Sequence, residues 1–344
     1  MNNISFNDKS VMSWLLILVI MVIIMVSIGG ITRLTESGLS MVTWKPVTGI
    51  VPPFSEEAWQ KEFEVYKSSP EYIKKNYHFE LSDFKKIYFW EFLHRAFGRL
   101  IGLVFFIPYM FFLISKKIPK TMRFKIFIAF ILGGSQGVLG WYMVKSGLVD
   151  IPAVSHYRLC AHLLLAYIII FYLKVLYLNI KIKREWSFFK QGKGWNFVIL
   201  LIFLQIIYGA FVAGKDAGLT YNTFPKMGKD WFPMAAMMFS PWWINFFENT
   251  AMIQFIHRLL GTILLLVSCG HVIRRFAIKK KTSFLDKNLY ALSFLILVQF
   301  GLGILTLINL VPISLAALHQ FCASLIVVLC ANIFYLVNTK EIKY

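Results

Sequence analysis

The sequence predicts an all-α integral membrane protein with eight transmembrane helices, arranged as two tandem-duplicated four-helix bundles. Three observations predict it. Hydrophobic residues make up 58% of the 344-residue chain and charged residues only 15%, against about 25% charged in a soluble domain. Eight apolar runs are each close to the roughly 20 residues that a spanning helix needs. Motifs of the first four runs recur in the last four.

The runs fall near 12–32, 89–114, 125–144, 157–179, 196–213, 250–273, 288–308 and 314–337. They lack the alternating polarity of barrel strands. The first follows "MNNISFNDKS", and no small-residue cleavage pattern follows it, so it reads as a retained helix and not a signal peptide. An arginine-rich transit sequence is missing too, which points to a bacterial inner membrane.

The net charge of +19 is placed for a membrane and not for nucleic acid. Loops 115–124, 181–194 and 274–287 carry most of the clustered lysine and arginine: "SKKIPKTMRFK", "KIKREWSFFKQGKG" and "RRFAIKKKTSFLDK". They join runs 2–3, 4–5 and 6–7 and therefore share one side. By the positive-inside rule that side is the cytoplasm, and both termini lie there. No stripe of stacking aromatics on a soluble surface accompanies the charge. The long connection 33–88 faces outward and holds one or two surface helices in "SEEAWQKEFEVYKSSPEYIKKNYHFELSDFKK".

The internal repeat is visible in short motifs. "EFLHRAFG" (91–98) recurs as "QFIHRLLG" (254–261), and "QGVLG" (136–140) as "QFGLG" (299–303), both 163 positions on. "TESGLSMVTW" (35–44) recurs as "KDAGLTYNTF" (215–224). Pro152 and Pro312 each precede a helix with a histidine, His162 and His319. The halves are 1–190 and 191–344, parallel in orientation. Transporters also use parallel repeats, so duplication alone does not assign a function.

Seven histidines divide into three and four. His78 reads as a solvated loop residue, His156 as an interfacial or capping residue, and His271, beside Arg274 and Arg275, as a headgroup contact. His94, His162, His257 and His319 form a set. Each lies about 5–8 residues into a helix entering from outside, roughly 8–12 Å below its outer end. Ionisable groups at membrane depth mark functional sites; the alternative is a histidine that merely bonds a neighbouring helix.

Two imidazoles per half, with at most one carboxylate nearby, are a poor zinc set. Facing imidazoles suit the axial positions of a heme iron. There is no C-x-x-C-H for covalent attachment. The expectation is two non-covalent heme sites, one in each half. One turn after each histidine comes a small residue: Gly98, Ala166, Gly261 and Ala323. These fit a wall against a flat macrocycle or ordinary helix packing. Arg95 and Arg258 follow the first histidine of each half, where porphyrin propionates and lipid phosphates are competing partners. The four cysteines, Cys160, Cys269, Cys322 and Cys330, lie in predicted spans and predict no disulfide.

Where the halves differ, the first has Glu91 and the second Gln254, three residues before a histidine and on its face. A glutamate suits the first turn of a helix electrostatically. It also suits proton handling at a porphyrin rim. The asymmetry points to a reacting heme in the first half and an electron-transferring heme in the second.

"GGITRLTESGLSMVTWKPVTG", "EFLHRAFGR", "HYRLCAHL", "FIHRLLG" and "SLAALHQ" resemble the heme A synthase family, in order, from about residue 13 to 335. The resemblance implies a membrane oxidoreductase that oxidises a methyl group of heme O to the formyl group of heme A by successive hydroxylations. It implies that His257 and His319 ligate a resident heme b, with Arg258 beside it. His94 and His162 would hold the substrate heme, with Arg95 nearby and Glu91 as the catalytic carboxylate. The outer loops hold no cysteine pair, so the chain is similar to the proteobacterial and mitochondrial branch. A heme O-making prenyltransferase is the implied partner, beside an electron donor that the sequence does not name. The heme sites would lie toward the periplasm. Two further readings are a diheme b-type protein that oxidises quinol without modifying heme, and a heme-binding transporter.

Overall fold

The computed structural model describes residues 6–43, 49–147, 153–182, 193–278 and 283–339. Among these the protein is helical, with short turns and an isolated bridge between Met227 and Asp230. Pro152 and most of the basic loop between the fourth and fifth spans lie outside the described residues.

Eight helices are long and apolar enough to cross a membrane. They are α1 (Phe6–Leu34), α3 (Leu81–Ile114), α4 (Lys120–Gly147), α5 (His156–Ile182), α6 (Lys193–Gly214), α8 (Thr250–Ile278), α9 (Phe284–Ile308) and α10 (Ile313–Asn338). Two others are short: α2 (Glu56–Lys67) in the long connection between α1 and α3, and α7 (Asn245–Glu248) before α8. Each long helix contains its predicted run and most exceed it by a turn at one or both ends.

α3 exceeds its prediction most, beginning eight residues before the expected position 89. Hydropathy could not show this, because the added turns are amphipathic rather than uniformly apolar. The Glu80 N–H donates to Asp83 Oδ2 at 3.4 Å, which stops the chain from continuing helical upstream. Phe84, Ile87 and Tyr88 then bury one face against Phe63 and Tyr66 of α2. At 1.5 Å per residue the 34-residue helix is roughly 50 Å long, well beyond a hydrocarbon core of roughly 30 Å. Its first turns and α2 therefore form a cap outside the spans. α2 is itself locally specified: Ser55 Oγ accepts the Ala58 N–H at 3.1 Å, acidic Glu56 and Glu57 open it and Lys67 closes it.

Close packing runs α1–α3–α4–α5 and back to α1, and separately α6–α8–α9–α10 and back to α6. In each ring the histidine-bearing helices, α3 and α5 or α8 and α10, stand diagonally opposite. The rings join through α1, α5, α6 and α10. The core follows that junction: Leu15 and Leu18 of α1, Ile170 and Leu176 of α5, and Val327 and Tyr335 of α10 are fully buried. Peripheral α3, α4 and α9 instead expose Leu103, Ile107, Phe124, Ile131, Phe294 and Leu297. On a spanning helix such a face meets lipid at no hydrophobic cost. Polar ties reinforce the junction: Arg33 Nη2 donates to Ala213 O and Asp216 Oδ1, each at 2.8 Å.

Candidate functional site

All four expected histidines sit in the spans, each against a glycine of a neighbouring helix. A Cβ placed on Gly29 of α1 would lie 3.1 Å from His94 Nε2. On Gly140 of α4 it would lie 3.0 Å from His162 Cε1, on Gly209 of α6 3.1 Å from His257 Cε1, and on Gly303 of α9 3.1 Å from His319 Cε1. Any larger residue would have to move the ring. Gly140 and Gly303 are 163 positions apart, as the repeated motifs are; Gly29 and Gly209 are 180 apart, the spacing of the following motif pair. His94 and His162 lie within electrostatic reach of each other, as do His257 and His319.

Three rings lie at the expected distance from their helix starts. His162, His257 and His319 lie six, seven and six residues beyond the helix starts at His156, Thr250 and Ile313. His94 lies thirteen beyond Leu81, because α3 starts outside the spans.

Each pair presents two imidazoles from opposite sides of a bundle, which is how a metal centre is gripped along one axis. The ring atom Nδ1 of His162, His257 and His319 is buried without a hydrogen-bond partner. Each of these atoms lies 3.7 Å from the Cβ position of its glycine, against the neighbouring helix. No group of three or more His, Cys, Asp or Glu that could hold a bare metal ion occurs among the described residues. The donor set fits an iron porphyrin, which brings its own four equatorial nitrogens.

Glu91 is buried, 2% exposed, at the start of the span. Its Oε2 accepts from Ser40 Oγ at 2.6 Å and from the Met41 N–H at 2.8 Å. Its Oε1 pairs with Arg95, whose Nη2 also donates to Met41 O at 3.0 Å. Gln254 occupies the matching place in the second half. Its Nε2 donates to Ala217 O at 2.8 Å and Tyr221 O at 3.1 Å, and its Oε1 accepts from Arg258 Nη2 at 3.1 Å. Arg258 also donates to Tyr221 O and Thr223 O, each at 2.9 Å. Each arginine thus ties the loop after the first span of its half to the histidine helix, a partner neither sequence alternative included. The Glu/Gln difference follows the loops: the first offers donors to an acceptor-only carboxylate, the second offers carbonyls to an amide.

The helix ends before these loops also match. Glu36 and Asp216, 180 positions apart, both adopt left-handed backbone, at φ 52° and 51°. Neither is glycine, and both follow the end of a span by two residues.

The small residues one turn past the histidines have other neighbours. A Cβ on Gly98 would meet Met25 Cε at 3.2 Å, and on Gly261 Gln205 Nε2 at 3.4 Å. The glycines that touch the imidazoles were missed. Their signal was present: Gly140 and Gly303 end the "QGVLG" and "QFGLG" motifs used only to find the repeat. Gln136, Gln205 and Gln299, whose amides lie at 3.4, 3.4 and 3.2 Å from the Nε2 atoms of His162, His257 and His319, were missed as well.

The remaining histidines lie apart. His78 is exposed. His156 opens α5, with Nε2 3.0 Å from Phe247 O. His271 packs edge-on against Trp195, with ring centroids 4.6 Å apart. All four cysteines are free, and only Cys269 is exposed.

The two sites meet at α1. Gly29 faces His94, while a Cβ on its neighbour Gly30 would collide with Gln320, the residue after His319. Gln320 Nε2 donates to Val26 O at 3.2 Å, and Tyr167 OH of α5 donates to Gln320 O at 3.2 Å.

Residues 12–331 match the cytochrome oxidase assembly protein family. The chain is similar to the heme A synthase of Wolbachia pipientis wMel, 42% identical over 316 residues, covering 91% of this chain and 88% of that protein. It is similar to the heme A synthase of Parvibaculum lavamentivorans, 43% identical over 91% of this chain and 90% of that protein. It also resembles the heme A synthase of Flavobacterium psychrophilum, 44% identical over 92% and 95%.

Proposed function

The chain belongs to the cytochrome oxidase assembly protein family, and from that premise we propose that it converts heme O to heme A. The conversion takes a porphyrin methyl group to a formyl group by successive hydroxylations. The observation that carries the reading is the pair of diagonal histidines in each four-helix ring, every imidazole seated on a glycine. Similarity to proteins named heme A synthase over about nine-tenths of the chain supports the same reaction.

His257 and His319 would hold a resident heme b, with Arg258 nearby in sequence, and that heme when bound would supply one-electron redox chemistry. His94 and His162 would hold the substrate heme, with Arg95 nearby. Glu91 is then the catalytic carboxylate. Its Oε2 is fixed by Ser40 and the Met41 N–H and its Oε1 by Arg95, so the carboxylate that would handle the proton is held at both oxygens. The second half has an amide at that place and cannot perform this step, which supports assigning the substrate to the first half.

The matched glycines, arginines and left-handed turns support a tandem duplication with halves at 1–190 and 191–344. The basic loops support cytoplasmic termini and heme sites toward the periplasmic side of a bacterial inner membrane. A heme O-making prenyltransferase suits this multi-pass protein as a partner, because passing an insoluble heme through water is unfavourable. Electrons come from a separate donor.

The test is to give the purified protein heme O and a reductant in air, so that dioxygen is the oxidant, then extract and chromatograph the hemes. Heme A is the expected product. A quinol-oxidising diheme carrier or a transporter would return heme O unchanged, and that result would overturn the proposal.

A further inference from the structure

The first four-helix ring is open along one seam where the second is closed. α3 and α4 are consecutive antiparallel spans. Phe130 of α4 packs on Phe105, Phe106 and Tyr109 of α3, with ring centroids 5.8, 5.9 and 6.3 Å apart. One turn nearer the histidines the seam loses its side chains. Gly102 and Gly98 follow on α3, and Gly134 and Gly137 on α4. Among the described residues nothing lies within 4 Å of a Cβ placed on Gly102, Gly134 or Gly137. A cleft of about 620 Å³ lies there, lined by Gly134, Gly137, Val138 and Trp141. Small-molecule sites occupy roughly 300–1,000 Å³.

The second half fills the matching seam. The residues 163 positions on from Gly102 and Gly137 are Leu265 and Phe300. A Cβ on Gly261, which matches Gly98, would meet Phe300 Cδ2 at 3.7 Å, so the Phe300 side chain reaches from α9 to α8. Leu265 packs on the buried core. The opening in the first half therefore comes from two glycines, and it adjoins both ligands. Gly98 is one turn past His94, and Gly137 is one turn before Gly140, on which the His162 imidazole sits.

We propose that the α3–α4 seam is the slot for the prenyl chain of heme O, kept open by Gly102 and Gly137. The inference deepens the heme O reading above and rests on it. The product of a prenyltransferase carries an apolar chain on one edge of the porphyrin. A close-packed four-helix ring has no spare volume for that chain beside the macrocycle. An open seam lets the chain leave toward lipid. Seating it there also fixes the rotation of the porphyrin about the iron–imidazole axis. One methyl group is thereby presented to Glu91, one turn before His94 on the same helix. A resident heme b has no such chain, and Phe300 closes its seam.

The test uses full-length protein in detergent, with its second site already holding heme. Heme O and protoheme, the same iron porphyrin without the chain, are titrated into the first site and followed by absorbance. The variants are Gly137→Phe and Gly102→Leu, residues that the matching positions of the second half accept. The unsubstituted protein should bind heme O more tightly than protoheme. Each variant should weaken heme O by about tenfold, the scale on which an overfilled site costs free energy. Protoheme affinity and the resident low-spin spectrum should stay as they were. Equal affinity for the two hemes in the unsubstituted protein would overturn the slot, as would equal weakening of both in the variants. Weakening of neither would also overturn it and leave the cleft to bilayer lipid. If the unsubstituted protein binds neither heme at the first site, the heme O reading fails with the slot. If it makes heme A while its heme O affinity ignores both variants, only the slot fails.

Discussion

Replacing Glu91 by glutamine separates proton chemistry from architecture, because the second half already tolerates an amide at the matching position. In Glu91→Gln the introduced amide would keep an oxygen for Arg95, as Gln254 does for Arg258 at 3.1 Å. Its NH2 would then face the Ser40 hydroxyl and the Met41 N–H, which now sit 2.6 and 2.8 Å from Oε2. The hydroxyl can turn and accept. The backbone N–H cannot, so one buried donor is left unpaired at a cost of about 1–3 kcal/mol. That cost falls on the outer segment around Met41 and not on His94, which lies one turn further into α3. Heme content measured as the pyridine hemochrome should therefore stay at the unsubstituted level. Heme A formed from supplied heme O should fall by about 10²–10⁴, the usual contribution of a positioned acid or base. Normal heme A output would show that Glu91 only clamps the outer loop. Loss of bound heme alongside activity would also refute the separation, since the carboxylate would then be structural.

If His257 and His319 ligate a resident heme b as proposed, His257→Ala or His319→Ala should abolish its low-spin spectrum while the chain still inserts in the membrane; an unchanged spectrum would reassign the ligands. At Gly303 an added Cβ lies 3.1 Å from His319 Cε1, so Gly303→Ala should reduce heme content only partly and Gly303→Leu should abolish it, read by hemochrome stoichiometry. Burial in the outer cap, with the Glu91 charge adding to it, pushes Glu71 up to about 7 against the opposing bond from Tyr66. A carboxyl raised on folding stabilises most at low pH, so the cap should loosen as pH rises from about 4.5 through about 7, measured as hydrogen exchange over α2. Glu71→Gln should flatten that dependence, and an unchanged slope would exclude Glu71 as its source.

The spans and the four histidines were legible because a bilayer imposes a length and a polarity on each helix, and an imidazole inside such a run has no ordinary reason to be there. The start of α3 was not legible. Phe84, Ile87 and Tyr88 bury one face against Phe63 and Tyr66, and a face formed with a distant segment leaves no continuous apolar run. The wall around each imidazole was hidden for a different reason. Helix periodicity relates Gly98 to His94 on one helix, yet the glycines that receive the rings belong to neighbouring helices, and only the repeat spacing ties them together. Glu91 was singled out by contrast with Gln254. Its engagement with Ser40 and Met41 depended on how the outer loop folds back, which local sequence does not specify.

The contact between the two sites explains why α1 is the most enclosed span. A chain made of two similar bundles could join them through any apolar faces. Here the junction passes through adjacent glycines, one receiving the His94 ring and the other receiving Gln320, next to His319. Side chains at either position would push the two bundles apart or turn a ligand. Arg33, near the C-terminal end of the same helix, bonds Ala213 and Asp216, and Val26, one turn before Gly29 and Gly30, accepts from Gln320. α1 is thereby held on both sides of the glycine pair. With hemes bound as proposed, this keeps the spacing between an electron-transferring site and a reacting site fixed while the substrate exchanges.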